Sequence, residues 1–345
     1  MFDEQISTIA TDSASVQSGG EISPVSDRLK AIAQITVMHP DFKQAFDAME
    51  RGMKSFGRTG EPVCVLLLGG SGCGKSHLAD RFEQLYPRST KNGQAHIPVL
   101  RIRVPSDPKI KSCASTMLAR LGDPLYARGT EAEMTKRIQH HLKKSETQFV
   151  IMEEFQHFVD AESEKLFLSA ANWLKILIEE TRVPFAVEGL QRTKKLFDAD
   201  DQLSGRFDGP YYLLPFRWFQ PGNPPTVASK PFRGFLKGIH RAMPFKDCVD
   251  FSERSVALRF FCSSQGSPRR VGKLIAQAAM IAEEKGSETI GLDTFAQAYV
   301  QRCGYQVSKE RNPFSKEFDL DDAESELEKG ARRSQKDAGE GVFER

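Results

Sequence analysis

The residues with the clearest chemistry lie in one glycine-rich run, whose pattern G-x-x-x-x-G-K-S is that of a phosphate-binding loop, or P-loop. Glycines allow backbone N–H groups to close around phosphate oxygens, and the helix that follows presents its positive end to the same anion. Lys75 is expected to contact the β- and γ-phosphates, and the hydroxyl of Ser76 to bind Mg²⁺. The run therefore predicts a site for ATP and Mg²⁺ at Gly69, Gly70, Ser71, Gly72, Cys73, Gly74, Lys75, Ser76 and His77.

Two adjacent acids follow a hydrophobic segment, Gln148 to Met152, later in the chain. In P-loop proteins the first acid of such a pair serves the Mg²⁺ shell, and the second orients or activates the attacking water. Glu153 is accordingly the predicted metal-site acid and Glu154 the predicted catalytic acid; the alternative is a strand that simply ends in acids. The first position usually holds Asp. The longer Glu153 side chain keeps the charge but moves the oxygen, which puts the metal geometry and the hydrolysis rate in question.

Arginines could complete the site. Arg206, in the segment DQLSGRF, precedes the last predicted strand, and from there it could reach the γ-phosphate of a neighbouring subunit. A cation supplied in this way offsets transition-state charge and makes hydrolysis depend on assembly. Arg182 is the competing arginine finger, and a surface ion pair is the alternative for both. Arg269, at the start of a later helix, is predicted to contact phosphate in its own subunit, with Arg270 as its substitute.

Two other polar residues follow predicted strands but receive no catalytic role. Glu188 stands where a polar side chain commonly contacts the nucleotide, yet a negative carboxylate facing phosphate would be repelled. His157, in EEFQHF, is interpreted as a packed or hydrogen-bonding histidine and not as a ligand. The predicted catalytic residues are therefore Lys75, Glu154 and Arg206.

Strands and helices must position these residues, and their hydrophobic patterns alternate along the chain. The run VCVLLL before the P-loop is short and continuously apolar, which is typical of a strand buried on both faces of a parallel sheet. Further strands are predicted at IPVLRIRV, QFVIM, VPFAVEG and YYLLPF, with helices between them. The predicted fold class is α/β: a P-loop core with a parallel sheet flanked by helices, followed by a small helical lid.

Changes in composition along the chain indicate its domain organisation. Polar segments without apolar periodicity predict flexible ends, and a stretch dense in Pro and Gly predicts a linker. The predicted parts are a flexible N-terminal arm at 1–27, a helical extension at 28–60, the α/β core at 61–218, a linker at 219–231, a helical lid at 232–305 and a charged, flexible tail at 306–345.

The composition excludes several classes of protein. Of 345 residues, 39% are hydrophobic and 27% charged, as in ordinary globular proteins, and the net charge of +2 does not by itself announce a nucleic-acid partner. No run of apolar residues is long enough for a transmembrane helix, and the N-terminus lacks the pattern of a signal peptide. The six cysteines form no C-x-x-C pair, so neither zinc nor a redox dithiol is indicated. A cytoplasmic location without membrane contact is expected.

From about Asp27 to Phe314 the chain resembles the TniB/TnsC transposition regulators, which are AAA+ ATPases of Tn-type and CRISPR-associated transposons. The segments that carry the resemblance are HPDFKQAFDAME, LLLGGSGCGKSHL, VIMEEFQHF, NWLKILIEETRVPFAVEGL, QLSGRF, GSPRRVGKLIAQAA and RNPF. The resemblance implies an AAA+ ATPase that assembles on double-stranded DNA as a ring or filament. Such a homo-oligomer would link a target-selector protein to recruitment of the transposase.

The resemblance also implies DNA contacts after the second strand, where Lys109 and Lys111 are the candidates. Lysines that neutralise phosphates bind DNA in a sequence-independent, salt-sensitive way. A second candidate surface contains Lys230, Arg233, Lys237 and Arg241, although this amphipathic helix could serve packing alone.

Three other functions use the same kind of core. A helicase loader of the replication type often carries a winged-helix module after the lid, and the charged tail here is too short for one. A nucleotide-driven switch would reorganise protein partners without DNA. A P-loop kinase would need an acceptor-binding domain, which is not evident in the sequence.

Overall fold

The computed structural model describes residues 26–58, 60–161, 163–219, 225–303 and 307–340. The strands are β1 (Cys64–Gly69), β2 (Ser89–Lys91), β3 (Gln94–His96), β4 (Val99–Arg103), β5 (Phe149–Glu153), β6 (Phe185–Gly189), β7 (Phe207–Leu213), β8 (Asp247–Cys248) and β9 (Thr289–Ile290). The helices are α1 (Asp27–Gln34), α2 (Pro40–Ser55), α3 (Lys75–Leu85), α4 (Ile110–Leu121), α5 (Glu131–Lys144), α6 (Gln156–Asp160), α7 (Glu164–Thr181), α8 (Lys194–Asp198), α9 (Asp201–Ser204), α10 (Pro225–Ala228), α11 (Lys230–Arg241), α12 (Arg254–Ser264), α13 (Pro268–Glu284), α14 (Leu292–Cys303) and α15 (Leu320–Glu340).

The central sheet has the strand order β4-β5-β6-β1-β7, and its paired strands run parallel. Strands β1, β5 and β6 are buried along their whole length, as their continuous apolar sequences require. Successive β1 side chains alternate between two cores: Leu66 and Leu68 pack with α4, α5 and α7, whereas Val65 and Leu67 pack with α2 and α3. The predicted parallel α/β fold is confirmed.

Two local features of the strands differ from the prediction. Strand β7 begins at Phe207, before the predicted YYLLPF segment, because Gly209 and Pro210 are tolerated inside a strand at the edge of the sheet. The antiparallel hairpin β2–β3 was not predicted. Its turn, Asn92-Gly93, has positive φ at both residues, and this dipeptide is a strong hairpin signal that polar, exposed flanking residues obscured.

The lid is helical, with α11 to α14 packed around clustered aromatic side chains and the short parallel pair β8–β9 at its edge. Its core also contains Trp218 and Ile32 of α1. The predicted N-terminal extension is therefore divided: α1 packs against the lid, whereas α2 packs against the sheet. Of the predicted linker, residues 220–224 lie outside the described residues, as do residues 1–25 of the predicted arm.

The tail beyond residue 306, predicted to be flexible, instead folds back onto the lid. Asn312 donates from Nδ2 to the carbonyl of Ala296 at 3.0 Å, and Phe314 is buried against Phe260 and Phe295. Arg259 donates to the carbonyls on both sides of Phe314. Helix α15 continues from this anchor, and its Glu324 accepts from Trp218 Nε1 at 2.7 Å. The high charge of the segment hid the few residues that dock it.

We expect Phe314→Ala to lower the free energy of unfolding by about 3–5 kcal/mol, because it leaves a cavity among packed rings. Urea unfolding followed by circular dichroism would measure the loss. Leu125→Ala, at a side chain that is 49% exposed, is the control and should stay within about 0.5 kcal/mol of the wild type. Equal stabilities for the two variants would show that the RNPF segment does not anchor the tail.

Candidate nucleotide-binding site

A cavity of about 480 Å³ lies where the P-loop, the N-terminal segment and the lid meet. The P-loop connects the C-terminal end of β1 to the first turn of α3, so a buried strand and a helix fix both of its ends. The cavity wall contains most of the predicted nucleotide-binding residues, namely Gly70, Ser71, Gly72, Cys73, Gly74, Lys75, Ser76, His77 and Arg269, and also the predicted catalytic acid Glu154. Gly69 is not among the lining residues; it ends β1 directly below them.

The P-loop backbone requires glycine at two positions. Gly72 has φ +81° and Gly74 has φ +105°, values that side-chain-bearing residues rarely adopt. Gly74 is also the N-cap of α3 and supplies no side-chain hydrogen bond to it. The first N–H groups of α3 therefore have no capping side chain, and Lys75, Ser76 and His77, which begin the helix, line the cavity; this arrangement suits a phosphate.

Lys75 lies inside the loop. Its Nζ donates to the carbonyl oxygens of Gly69 at 2.6 Å and Gly70 at 3.1 Å. Burial lowers the pKa of Lys75, and the nearby carboxyls of Glu188 and Glu154 partly oppose this effect. The ammonium is thus held against the first residues of the loop, and its contact with phosphate stays a prediction.

Glu154 lines the cavity in an unusual backbone conformation. Its φ of +58° is left-handed, which costs free energy for a residue with a Cβ and is common at functional sites. Gln156 donates from Nε2 to the Glu154 carboxylate, and its Oε1 accepts from the backbone N–H of Leu190 at 3.2 Å. The amide of Gln156, which the sequence analysis missed within EEFQHF, therefore orients the predicted catalytic acid.

Glu153 does not have the surroundings predicted for a metal-site acid. Both of its carboxylate oxygens accept from Arg101 of β4, at 2.8 Å from Nε and 3.0 Å from Nη2. Ser76, the other predicted ligand, lines the cavity at the start of α3 and fits a nucleotide-bound Mg²⁺. Among the described residues, no three His, Cys, Asp or Glu side chains gather into a metal site of their own. The residues present thus fit Mg²⁺ through Ser76 but not through Glu153.

Glu188, at the end of β6, is 1% exposed, and within the described part of the chain its carboxylate oxygens have no hydrogen-bond partner. Burial raises its pKa well above the usual range, and the charge of Glu153 adds to the shift. Glu188 is also absent from the wall of the cavity. His157 Nδ1 donates to the carbonyl oxygen of Val104 at 3.0 Å, in keeping with a hydrogen-bonding role.

The lid touches the P-loop directly. The backbone N–H of Arg269 donates to the carbonyl of Gly72 at 3.1 Å, and Ser267 Oγ donates to the same oxygen at 3.3 Å. The exposed side chain of Arg269 lines the cavity, whereas Arg270 donates to Gln265 at 3.1 Å. The structure thus places Arg269, and not its neighbour, beside the P-loop.

The two arginine-finger candidates lie elsewhere. Neither Arg206 nor Arg182 is on the wall of the cavity in its own chain. Arg206 Nη2 pairs with Glu179 and Nη1 lies 3.4 Å from Glu61, and its side chain is 15% exposed. Arg182 is exposed at the C-terminal end of α7.

The end of the cavity away from the P-loop is largely apolar, and the sequence analysis did not foresee it. Its wall comes from the segment between α1 and α2, including Ile35 and Val37, and from Phe235 and Ile239 of α11. Such a wall suits the flat, largely apolar face of a nucleotide base. His77 joins this wall to the P-loop, since its Nε2 lies 2.9 Å from Thr36 Oγ1. Burial lowers the pKa of His77.

The predicted DNA-contacting residues lie on two exposed surfaces. Lys109 and Lys111 are exposed at the start of α4, and Lys109 Nζ lies 2.9 Å from Asp107 Oδ2. Helix α11 buries an apolar face and leaves Lys230, Lys237 and Arg241 exposed, so packing and a basic surface coexist on it. Arg233 is only partly exposed, and its Nε donates to the carbonyl oxygen of Ser252 at 2.8 Å.

No helix in the described part of the chain is long and apolar enough to cross a membrane.

Comparisons with known proteins place this geometry in context. The family described as "Bacterial TniB protein" matches residues 28–215, more than half of the chain. No curated protein matches the chain. Solved structures with the same fold include Aeropyrum pernix ORC2 in its ADPNP–ADP complexes (14% identity, 79% of this chain and 71% of that chain, TM-score 0.55). Others are Pyrobaculum aerophilum CDC6P (13%, 83% and 73%, TM-score 0.56) and A. pernix ORC1 in complex with DNA (13%, 79% and 69%, TM-score 0.52). At these identities the likeness shows the fold alone, an AAA+ P-loop core with a helical lid.

Proposed function

The chain belongs to the TniB family, and from that premise we propose that it is an ATP-hydrolysing regulator of DNA transposition that assembles on double-stranded DNA. In this role it links a target-selector protein to recruitment of the transposase, in the cytoplasm. The observation that carries the proposal is a single cavity that collects the P-loop, Glu154 and Arg269 from the core and the lid. A single nucleotide that touches both the core and the lid can make their relative arrangement depend on the presence of its γ-phosphate.

The residues divide the work of hydrolysis among them. Backbone N–H groups of the P-loop and the Lys75 ammonium hold the phosphates, and Mg²⁺ bound through Ser76 would supply charge neutralisation. Glu154, oriented by Gln156, accepts a proton from or aligns the attacking water. Arg269 contacts the phosphates from the lid, and Arg206 is proposed to do so from a neighbouring subunit.

DNA binding is proposed from the family and from the exposed lysines at the start of α4. One of the solved structures that share the fold, A. pernix ORC1, was determined in complex with DNA. Phosphate contacts by Lys109 and Lys111 would be independent of sequence, and each would add about one to the slope of log K against log salt concentration.

The test combines imaging and titration. Negative-stain electron microscopy with duplex DNA is expected to show rings or filaments only when a slowly hydrolysed ATP analogue is present. In a salt titration, Lys109→Ala with Lys111→Ala should reduce the salt slope by about two. Lys43→Ala, an exposed lysine on α2, is the control. Dispersed particles and no DNA binding under any condition would favour a nucleotide-driven switch of protein partners instead.

A further inference from the structure

Arg101 of β4 is the centre of a charged cluster beneath the nucleotide cavity. Its guanidinium binds both carboxylate oxygens of Glu153, at 2.8 and 3.0 Å, and its Nη1 pairs with Asp80 of α3. Glu83 lies 3.7 Å away, and the carbonyl of Ser76 accepts from Nη2 at 3.4 Å. One side chain thus joins the end of β5 to the first turns of the helix that follows the P-loop.

The surroundings of Glu153 favour its contact with Arg101. Its side chain is 6% exposed and that of Arg101 is 16% exposed, so water does little to screen the pair. A bidentate bond between Arg and a carboxylate is among the strongest side-chain contacts. Glu153 is also absent from the cavity wall, whereas Ser76, Asp80 and Glu154 are all on it.

We propose that Arg101 is a positioning residue that keeps Glu153 as an internal anion, so that Glu153 is not a ligand of the nucleotide-bound metal ion. The proposal rests on the ATP-binding function proposed above. The pair of Arg101 and Glu153 connects the end of β5 to α3. It thereby sets the distance between the P-loop and Glu154, the residue that follows Glu153. Glu153, at the position where P-loop proteins usually have a metal-site acid, here holds neighbouring elements of the core together.

Arg103 offers a matched control on the same strand. It lies on the same face of β4 and is the register partner of Glu153 across the sheet, yet its side chain is exposed. Arg103→Met therefore removes the same charge at a similar place without touching the pair.

The first experiment measures melting temperatures without nucleotide. Arg101→Met is expected to lower the melting temperature by roughly 5–10 °C, because it leaves the poorly hydrated Glu153 carboxylate without its partner. Glu153→Gln is expected to lower it by less, because Arg101 keeps Asp80 and Glu83 as partners. The double variant should lose little more than the worse single variant, since residues that act as a pair are not additive. Arg103→Met should change the value by about 1 °C at most. Additive losses in the double variant would overturn the pairing.

The second experiment measures Mn²⁺ affinity in the complex with a slowly hydrolysed ATP analogue, by electron paramagnetic resonance. Ser76→Ala should weaken Mn²⁺ binding by more than about tenfold, whereas Glu153→Gln should change it by less than about threefold. Arg101→Met should tighten binding several-fold, since it releases a carboxylate toward a cation that prefers oxygen ligands, and adding Glu153→Gln should cancel that gain. A loss in Glu153→Gln as large as in Ser76→Ala, or no gain in Arg101→Met, would overturn the proposal.

The two experiments separate this inference from the function on which it rests. If wild-type protein bound no nucleotide, the proposed ATPase function would fail. The melting cycle needs no nucleotide, so it would still decide whether Arg101 and Glu153 act as a pair.

Discussion

Replacing Glu154 with Gln is expected to slow ATP hydrolysis by about a thousandfold while leaving ATP affinity within about threefold of the wild type. Glu154 lines the cavity, and Gln156 holds its carboxylate in place. Gln keeps the size of the side chain and one acceptor oxygen for Gln156, but it cannot take a proton from water. Nucleotide should therefore bind and remain unhydrolysed, and the ATP-bound assembly should accumulate.

Single-turnover hydrolysis and binding of a fluorescent ATP analogue would measure the two effects separately. Glu146→Gln is the matched control, because Glu146 is also a glutamate with left-handed backbone, at φ +52°, but pairs with Lys91 on the surface. It should hydrolyse ATP at the wild-type rate. Unchanged hydrolysis in Glu154→Gln would remove Glu154 from the mechanism.

The second large effect concerns a residue that does not touch the cavity of its own chain. Arg206→Ala is expected to lower hydrolysis by about a thousandfold in the assembled protein, because an arginine supplied by a neighbour neutralises transition-state charge. Arg206 is paired with Glu179 and Glu61 in the single chain, so assembly must draw it from these partners or share it with them. Arg182→Ala, at the competing candidate, should leave the rate close to that of the wild type.

Mixing two inactive variants tests whether Arg206 acts across the interface. In an equal mixture of Arg206→Ala and Glu154→Gln subunits, some interfaces combine the intact Glu154 of one variant with the intact Arg206 of the other. Random mixing should therefore restore about a quarter of the wild-type activity, as expected of an arginine finger supplied in trans. A mixture no more active than its components would place Arg206 outside the shared site.

The local sequence was sufficient to identify the parts of the site that are continuous in the chain. A buried strand, a turn with glycines at positive φ and a helix follow one another from Cys64 to Leu85, and each is determined by its own residues. The acids at the end of β5 were found for the same reason: a short apolar strand and the polar residues at its end are neighbours in sequence. The parallel sheet followed from the alternation of such strands with helices.

Contacts between distant segments could not be predicted in this way. The spacing of residues gives no sign that Arg101 would bind Glu153, since only the pairing of β4 with β5 brings them together. Likewise, the segment near the C-terminus was predicted to be flexible because charged residues dominate its composition. Asn312 and Phe314, which dock it on the lid, are too few to show in that composition.

The sequence by itself thus determined the phosphate-binding loop, the acid pair and the α/β class, because local hydrophobic periodicity and glycine conformation encode them. Only the tertiary structure decided that Arg269 meets Gly72, that the N-terminal segment walls the cavity and that Glu153 belongs to Arg101. The physical reason is that the burial and partner of a charged side chain depend on which elements pack beside it. That packing is a property of the whole fold and not of the residues on either side.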